Sequence, residues 1–185
     1  MEESKNTEIE KKEEEKAKPQ KGKNRYLVNF LIKIALIVIA FLVVHAFLFE
    51  IEIYHGNDMY PAVKDGDLLL IYKLDKHIAG DVVLYENQFS GKRELSRIFT
   101  RDGVEIDITP EGEPTINGAI VTDSVFYKTD KLEGSTVEFP YKMKEGDIFL
   151  LDDYRTIGND SRAFGSVRDD DIVGKVLYLF RKRGI

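Results

Sequence analysis

Twenty-three residues, Leu27 to Phe49, read LVNFLIKIALIVIAFLVVHAFLF, a run too long and too continuous for the buried helix of a small soluble domain. As a helix rising 1.5 Å per residue it covers about 34 Å, enough to cross the apolar core of a bilayer. Lys33 and His45 interrupt it near opposite ends, where a long or polar-tipped side chain reaches the interface. A cleaved signal peptide is the rival, but its apolar core is shorter and small residues mark its cleavage site. Here bulky Phe47, Leu48 and Phe49 close the run, so an uncleaved anchor is expected. Lys16, Lys18, Lys21, Lys23 and Arg25 crowd its N-terminal side, which predicts a cytoplasmic tail and an extracellular remainder.

The chain therefore divides into a charged tail (1–25), a transmembrane helix (26–49) and one compact domain (50–185). The tail carries eight Lys/Arg and seven Glu with almost no apolar residue, too little to offset its ordering entropy, and is expected to be disordered. Beyond the anchor's Lys33 and the tail, 18 basic and 26 acidic residues leave net −8 of the whole chain's −6. Such an acidic domain excludes nucleic acid as a partner, because phosphate affinity needs a basic face. Cysteine is absent, which removes disulfides and thiolate metal sites. The Asp169-Asp170-Asp171 run reads as a solvated turn, since a calcium loop needs spaced ligands and a glycine. Neither metal nor cofactor is expected.

After residue 50 the pattern is β. Glu50-Ile51-Glu52-Ile53-Tyr54 alternates polar and apolar residues, as a half-buried strand does. Asp67–Tyr72 and Asp81–Tyr85 are apolar runs introduced by Gly66-Asp67 and Gly80-Asp81, pairs that suit turns. Further strands are predicted over Leu95–Thr100, Val104–Thr109, Thr115–Val121, Thr136–Phe139, Ile148–Leu151 and Ile172–Arg181, with one short helix allowed around Tyr154–Ala163. The expected fold is all-β, an antiparallel, partly barrel-like ectodomain behind a single N-terminal transmembrane helix.

Six motifs then occur in order. They are Asp58-Met59-Tyr60-Pro61, Gly80-Asp81-Val82-Val83, Arg97-Ile98, Ile116-Asn117-Gly118, Asp160-Ser161-Arg162 with Gly165 and Val167, and Ile172-Val173-Gly174-Lys175. Behind an N-terminal anchor, this series resembles the boxes of type I signal peptidases from about residue 27 to 181. The resemblance implies that family's fold and makes Arg97, Asp160, Ser161, Arg162 and Gly165 its structural box.

In that family a serine attacks the peptide carbonyl and a desolvated, neutral lysine takes its proton, so the two must lie within hydrogen-bond reach. The resemblance maps the serine onto Asp58 and the lysine onto Ser96. A second serine that orients the lysine maps onto Gly158, and the Gly-Asp-Asn-Arg box reads Asp152-Asp153-Tyr154-Arg155. The catalytic positions are thus degenerate while the structural boxes persist, the pattern of a pseudoenzyme. A single carboxylate lacks the second carboxyl with which aspartic proteases hold one acid and one base. Among the histidines, His55 is the candidate for a rescued base, and His77 reads as a loop residue.

Asp58, Met59, Tyr60, Pro61 and Ser96 are the candidate peptide-binding residues. Ser96 is expected about 3 Å from the Asp58 carboxylate, with Met59 partly exposed towards lipid. Degenerate relatives of this kind, found in Gram-positive pilus clusters, imply a chaperone or assembly factor for sortase-built pili. Lipid, pilin subunits and a pilus sortase would be its partners, and a lysine-bearing pilin segment a coherent guest for Asp58. The alternatives are an active, divergent signal peptidase, or an inactive subunit of a signal peptidase complex.

Overall fold

The computed structural model describes residues 21–123, 125–156 and 159–181. It divides into two compact units, Met1–His45 and Ala46–Ile185. Helix α1 (Lys21–Leu48), whose residues up to His45 are the described part of the first unit, contains a 24-residue stretch, Arg25–Leu48, long and apolar enough to cross a membrane. Leu, Ile, Val and Phe surround it on all sides and stand exposed, as expected of a helix whose solvent is lipid. Phe49, the last residue of the apolar run, is already the first residue of a strand.

The second unit is built on a seven-stranded antiparallel sheet. Its strands are β1 (Phe49–Ile53), β2 (Leu68–Tyr72), β3 (Val82–Asn87), β4 (Lys92–Arg101), β9 (Asp147–Leu151), β10 (Val167–Arg168) and β11 (Ile172–Phe180), ordered β1-β2-β11-β3-β4-β9-β10. A smaller sheet, ordered β7-β6-β5-β8, comprises β5 (Glu105–Ile108), β6 (Pro114–Ile116), β7 (Ala119–Ile120) and β8 (Tyr141–Lys142). The fold is the expected one, mostly antiparallel β with one N-terminal apolar helix.

Side chains alternate across each strand, and both faces of the large sheet are covered. Leu84 on β3 joins Tyr54, Met59, Val63, Leu69, Ile71 and Leu95 in one core. Its neighbours Val83 and Tyr85 turn to a second core with Ile98, Ile148, Leu150 and Val167. Phe149 and Leu151, the other face of β9, pack with Phe99, Ile106 and Met143 against the small sheet. The large sheet also curls: Arg93 on β4 meets Glu50 on β1 at 2.6 Å, although three strands separate them in the sheet.

Several strand predictions shift. The Thr115–Val121 segment is two strands folded about Asn117, whose φ of 50° makes the turn. Thr136–Phe139 forms no strand; pairing with β5 falls on Tyr141–Lys142 instead. The short helix, α2, is Ser161–Phe164, and Asp169–Asp171 is a single 3₁₀ turn. Gly174 is required by packing, because a Cβ there would sit 2.5 Å from the Tyr72 carbonyl oxygen.

Candidate functional site

The loop after β1 is pinned at both ends. Met59 is fully buried in the first core, and Val63 donates its N–H to the Met59 carbonyl at 2.8 Å. Burying a methionine is worth about 2 kcal/mol, so the loop is held by its apolar residue. That overturns the expectation of a lipid-facing Met59: the side chain points inward. Tyr60 stays 41% exposed, with its ring against Tyr154 (centroids 6.3 Å) and Lys64 Nζ over its face. Pro61 lines a separate cleft with Ala62, Arg97, Val125, Phe126 and Asp153. Tyr154 N–H donates to the Asp58 carbonyl at 2.7 Å, which seats the loop on the 152–155 segment.

That segment is organised by three arginines. Arg97 makes a bidentate contact with Asp153 (2.7 and 2.6 Å) and donates to the Gly80 carbonyl. Arg162, fully buried, donates to both Asp160 carboxylate oxygens, to the Arg155 carbonyl and to the Asp130 carbonyl. Arg155 donates to its own segment at the Asp152 carbonyl and reaches out to Asp123 and Thr129. Asp160 also accepts from Asp152 N–H at 3.0 Å, and Ser161 Oγ accepts from Leu150 N–H at 2.9 Å. Gly165, with φ 91°, ends α2, donating its N–H to the Ser161 carbonyl. The structural box thus fixes where residues 152–155 lie. Gly158 lies outside the described residues.

Ser96 is buried on β4. The pairing Arg97↔Leu151 places it opposite Asp152 one step further along, where facing Cβ atoms are about 5 Å apart. Its hydroxyl neighbours the Asp152 carboxyl and favours that group's ionised form, yet no partner meets Ser96 Oγ in hydrogen-bonding geometry. The expected Ser96–Asp58 hydrogen bond is therefore not formed.

The second carboxyl missed in the sequence is Asp152. It is buried, and desolvation raises its pKa well above the carboxylate range; the charge of Asp160 adds to this, and that of Asp58 as well. Tyr54 closes the group. Burial and then the charge of Asp58 push its phenol up, so the hydroxyl stays protonated, and it has no hydrogen-bond partner. Gly56 leaves room for it: a Cβ there would lie 2.9 Å from the Tyr54 hydroxyl and 3.2 Å from Asp58 Oδ2. A cavity of about 140 Å³ opens onto this end, lined by Glu52, Ile53, Tyr54, His55, Asp58, Leu84, Arg93, Glu94 and Leu95. His55 lines it too, but its Nδ1 lies 3.4 Å from Asp65. His77 is a buried loop residue, 3.7 Å from Asp169. Among the described residues no group of three or more His, Asp or Glu is placed to hold a metal.

Comparison with known proteins agrees with the motif series. The family profile described as "Signal peptidase, peptidase S26" matches residues 27–180. Signal peptidase I T of Bacillus subtilis is 30% identical over 97% of this chain and 95% of its own. Signal peptidase IB of Staphylococcus aureus is 25% identical over 83% and 89%. A crystal structure of a signal peptidase I from Enterococcus faecalis is 23% identical, with TM-score 0.48, covering 57% of this chain and all of that one. The chain belongs to the signal peptidase family, peptidase S26.

Proposed function

We propose that this chain is a non-catalytic member of its family, a single-pass membrane protein with its tail in the cytoplasm and its β domain outside. It holds an extended peptide segment and acts as a chaperone or assembly factor in sortase-dependent pilus polymerisation, with pilin subunits and the pilus sortase as partners. The observation that supports the loss of catalysis is Ser96: the position onto which the resemblance maps the family's base carries a buried hydroxyl facing Asp152, and no lysine lines the cavity beside Asp58. A hydroxyl cannot take a proton at neutral pH. The pilus role rests on the sequence resemblance to degenerate relatives of pilus clusters.

The test is turnover of an Ala-x-Ala signal peptide by the full chain in detergent. No cleavage is expected, and cleavage abolished by Asp58→Ala would overturn the reading. Repair is expected to need more than the missing dyad. A lysine introduced by Ser96→Lys would face Asp152 and take its proton, and the resulting carboxylate would hold the lysine as an ammonium. Asp58→Ser with Ser96→Lys should stay inactive until Asp152→Gly is added.

A second reading, an active divergent signal peptidase, is favoured by the names of the relatives and by one feature of the site. Asp152 held neutral beside Asp58 is an acid next to a possible base, as in carboxyl-pair proteases. Under it, Asp58→Asn and Asp152→Asn would each remove a measurable cleavage.

A further inference from the structure

Strand β1 carries its charges on the inner side of the sheet. Glu50 and Glu52 pair across to Ile71 and Leu69, which are fully buried in the first core, so the two carboxylates share that face. Ile51 and Ile53 point the other way and stand exposed. β1 is also an end strand, bonded to β2 on one side only. The first half of β4 is in a similar position. Its Arg97–Arg101 part pairs with β9, whereas Lys92–Arg97 has β3 on one side and residues 92–96 have no strand on the other.

These two unpaired edges face each other across the cavity of about 140 Å³. Glu52, Ile53, Tyr54 and His55 line one side of it, and Arg93, Glu94 and Leu95 the other. A chain of charges spans the gap. Lys73 Nζ holds one Glu50 oxygen at 2.7 Å, next to the end of β2. Arg93 reaches over from β4 to the other oxygen at 2.6 Å, with Glu52 at 3.8 Å from the same guanidinium. The hydrogen bond from Lys73, aided by that from Arg93, outweighs burial and holds the Glu50 carboxyl below its ordinary range, so it is charged at neutral pH. Glu94 takes no part, because its carboxylate accepts from Tyr85, Asn87 and Ser90. Two side chains thus bridge what backbone hydrogen bonds do not. An unpaired edge accepts a further strand, and the Arg93–Glu50 contact crosses the gap that such a strand must enter.

We propose that Arg93 is a latch: its ion pair with Glu50 holds the gap between β1 and β4 shut, and releasing it opens the cavity to an extended segment. Partly exposed ion pairs are individually weak, so a guest displaces this one without unfolding the domain. Lys73 keeps Glu50 in place for the latch to close again. This inference rests on the reading of the chain as holding an extended peptide segment, and adds the control of entry. The rival account is that inward carboxylates only deter β1 from pairing with other chains, as inward charges on edge strands do. Access to the cavity would then be indifferent to Arg93.

The experiment reads that access directly, because the chain has no cysteine and one introduced thiol reports alone. Leu95→Cys puts the thiol in the cavity wall, where Leu95 is 3% exposed. Its labelling by N-ethylmaleimide is followed by mass spectrometry on the full chain in detergent. Adding Glu50→Gln or Arg93→Gln should quicken labelling about fivefold, which corresponds to about 1 kcal/mol. Arg93→Lys should keep most of the protection. Salt at about 1 M, where the Debye length is about 3 Å, should quicken labelling with the latch intact and not in the Glu50→Gln background. Lys131→Gln, which breaks an exposed pair with Asp107 on the small sheet, should change nothing. Thermal melts of each variant separate cavity opening from loss of fold, and Leu84→Cys supplies a second thiol in the cavity wall if Leu95→Cys does not fold. Equal rates with and without the latch residues, or an acceleration by Lys131→Gln as great as that by Glu50→Gln, would overturn the proposal. The wider reading is tested apart, by adding an Ala-x-Ala peptide to the Glu50→Gln form, where it should slow labelling. Faster labelling in the latch variants with no protection by the peptide supports the latch and counts against the peptide-holding reading.

Discussion

At Asp152, burial and the neighbouring carboxylates of Asp160 and Asp58 act in one direction, favouring the neutral acid; Ser96 and the charge of Arg162 act against them. The folded-state pKa lies above the unfolded one. The residue therefore contributes full stability below the ordinary carboxylate pKa of about 4, and that contribution fades as pH rises through the folded value. Asp152→Asn removes the ionisation while keeping the shape. The variant should melt a few degrees above the parent at pH 8, since about 1 kcal/mol moves the midpoint of a domain this size by several degrees. The gap should narrow by pH 4. Thermal melts followed by circular dichroism at both pH values check this, and a gap that widens in acid would contradict the assignment. Asp152 was visible in the sequence only as a departure from Gly-Asp-Asn-Arg. What makes it matter is its place opposite Ser96, a pairing of residues 56 apart that no local pattern encodes. Met59 was misplaced for a related reason: proximity to the anchor suggested lipid, whereas contacts with Leu69, Ile71 and Leu84 bury it.

Among elements, the longer strands were legible, and the very short ones were not. Glu50–Tyr54, Leu95–Thr100 and Ile172–Arg181 each lie within a residue or a few of an observed strand, although Ile51 and Ile53 stand exposed on β1, against the expected half-buried face, and β4 buries residues on both of its faces. β10 has two residues, too few to show a period, and owes its existence to pairing with Asp147 and Ile148. Thr136–Phe139 has the composition of a strand, yet it is the segment after Pro140 that reaches β5. Where β11 crosses β2, the backbones come close enough to exclude any side chain at Gly174. Gly174→Ala should force the β2–β11 pairing apart at Tyr72 and cost on the order of 2–3 kcal/mol, within the range of overpacked cores. Urea denaturation of the full chain gives the number; a loss under half a kcal/mol would mean that the strands separate freely there.

On the scale of the whole molecule, the anchor and the β domain are separate units, and the sequence reveals the first more readily than the second. Because the chain has no cysteine, its orientation can be read with single introduced thiols. Ser4→Cys and Ser90→Cys, on either side of α1, should label oppositely with a membrane-impermeant maleimide in intact cells, the second reacting and the first protected. Reversed labelling would invert the proposed topology. Within the β domain, Asp123, Thr129 and Asp130, beyond the small sheet's β7, are fastened to Arg155 and Arg162 by buried guanidinium groups: Arg155 holds Asp123 and Thr129, and Arg162 holds the Asp130 carbonyl. In mechanical terms these are rivets between two plates. A load on the small sheet is carried to the carbonyl of Asp152 through the Arg155 side chain, without passing along the intervening backbone.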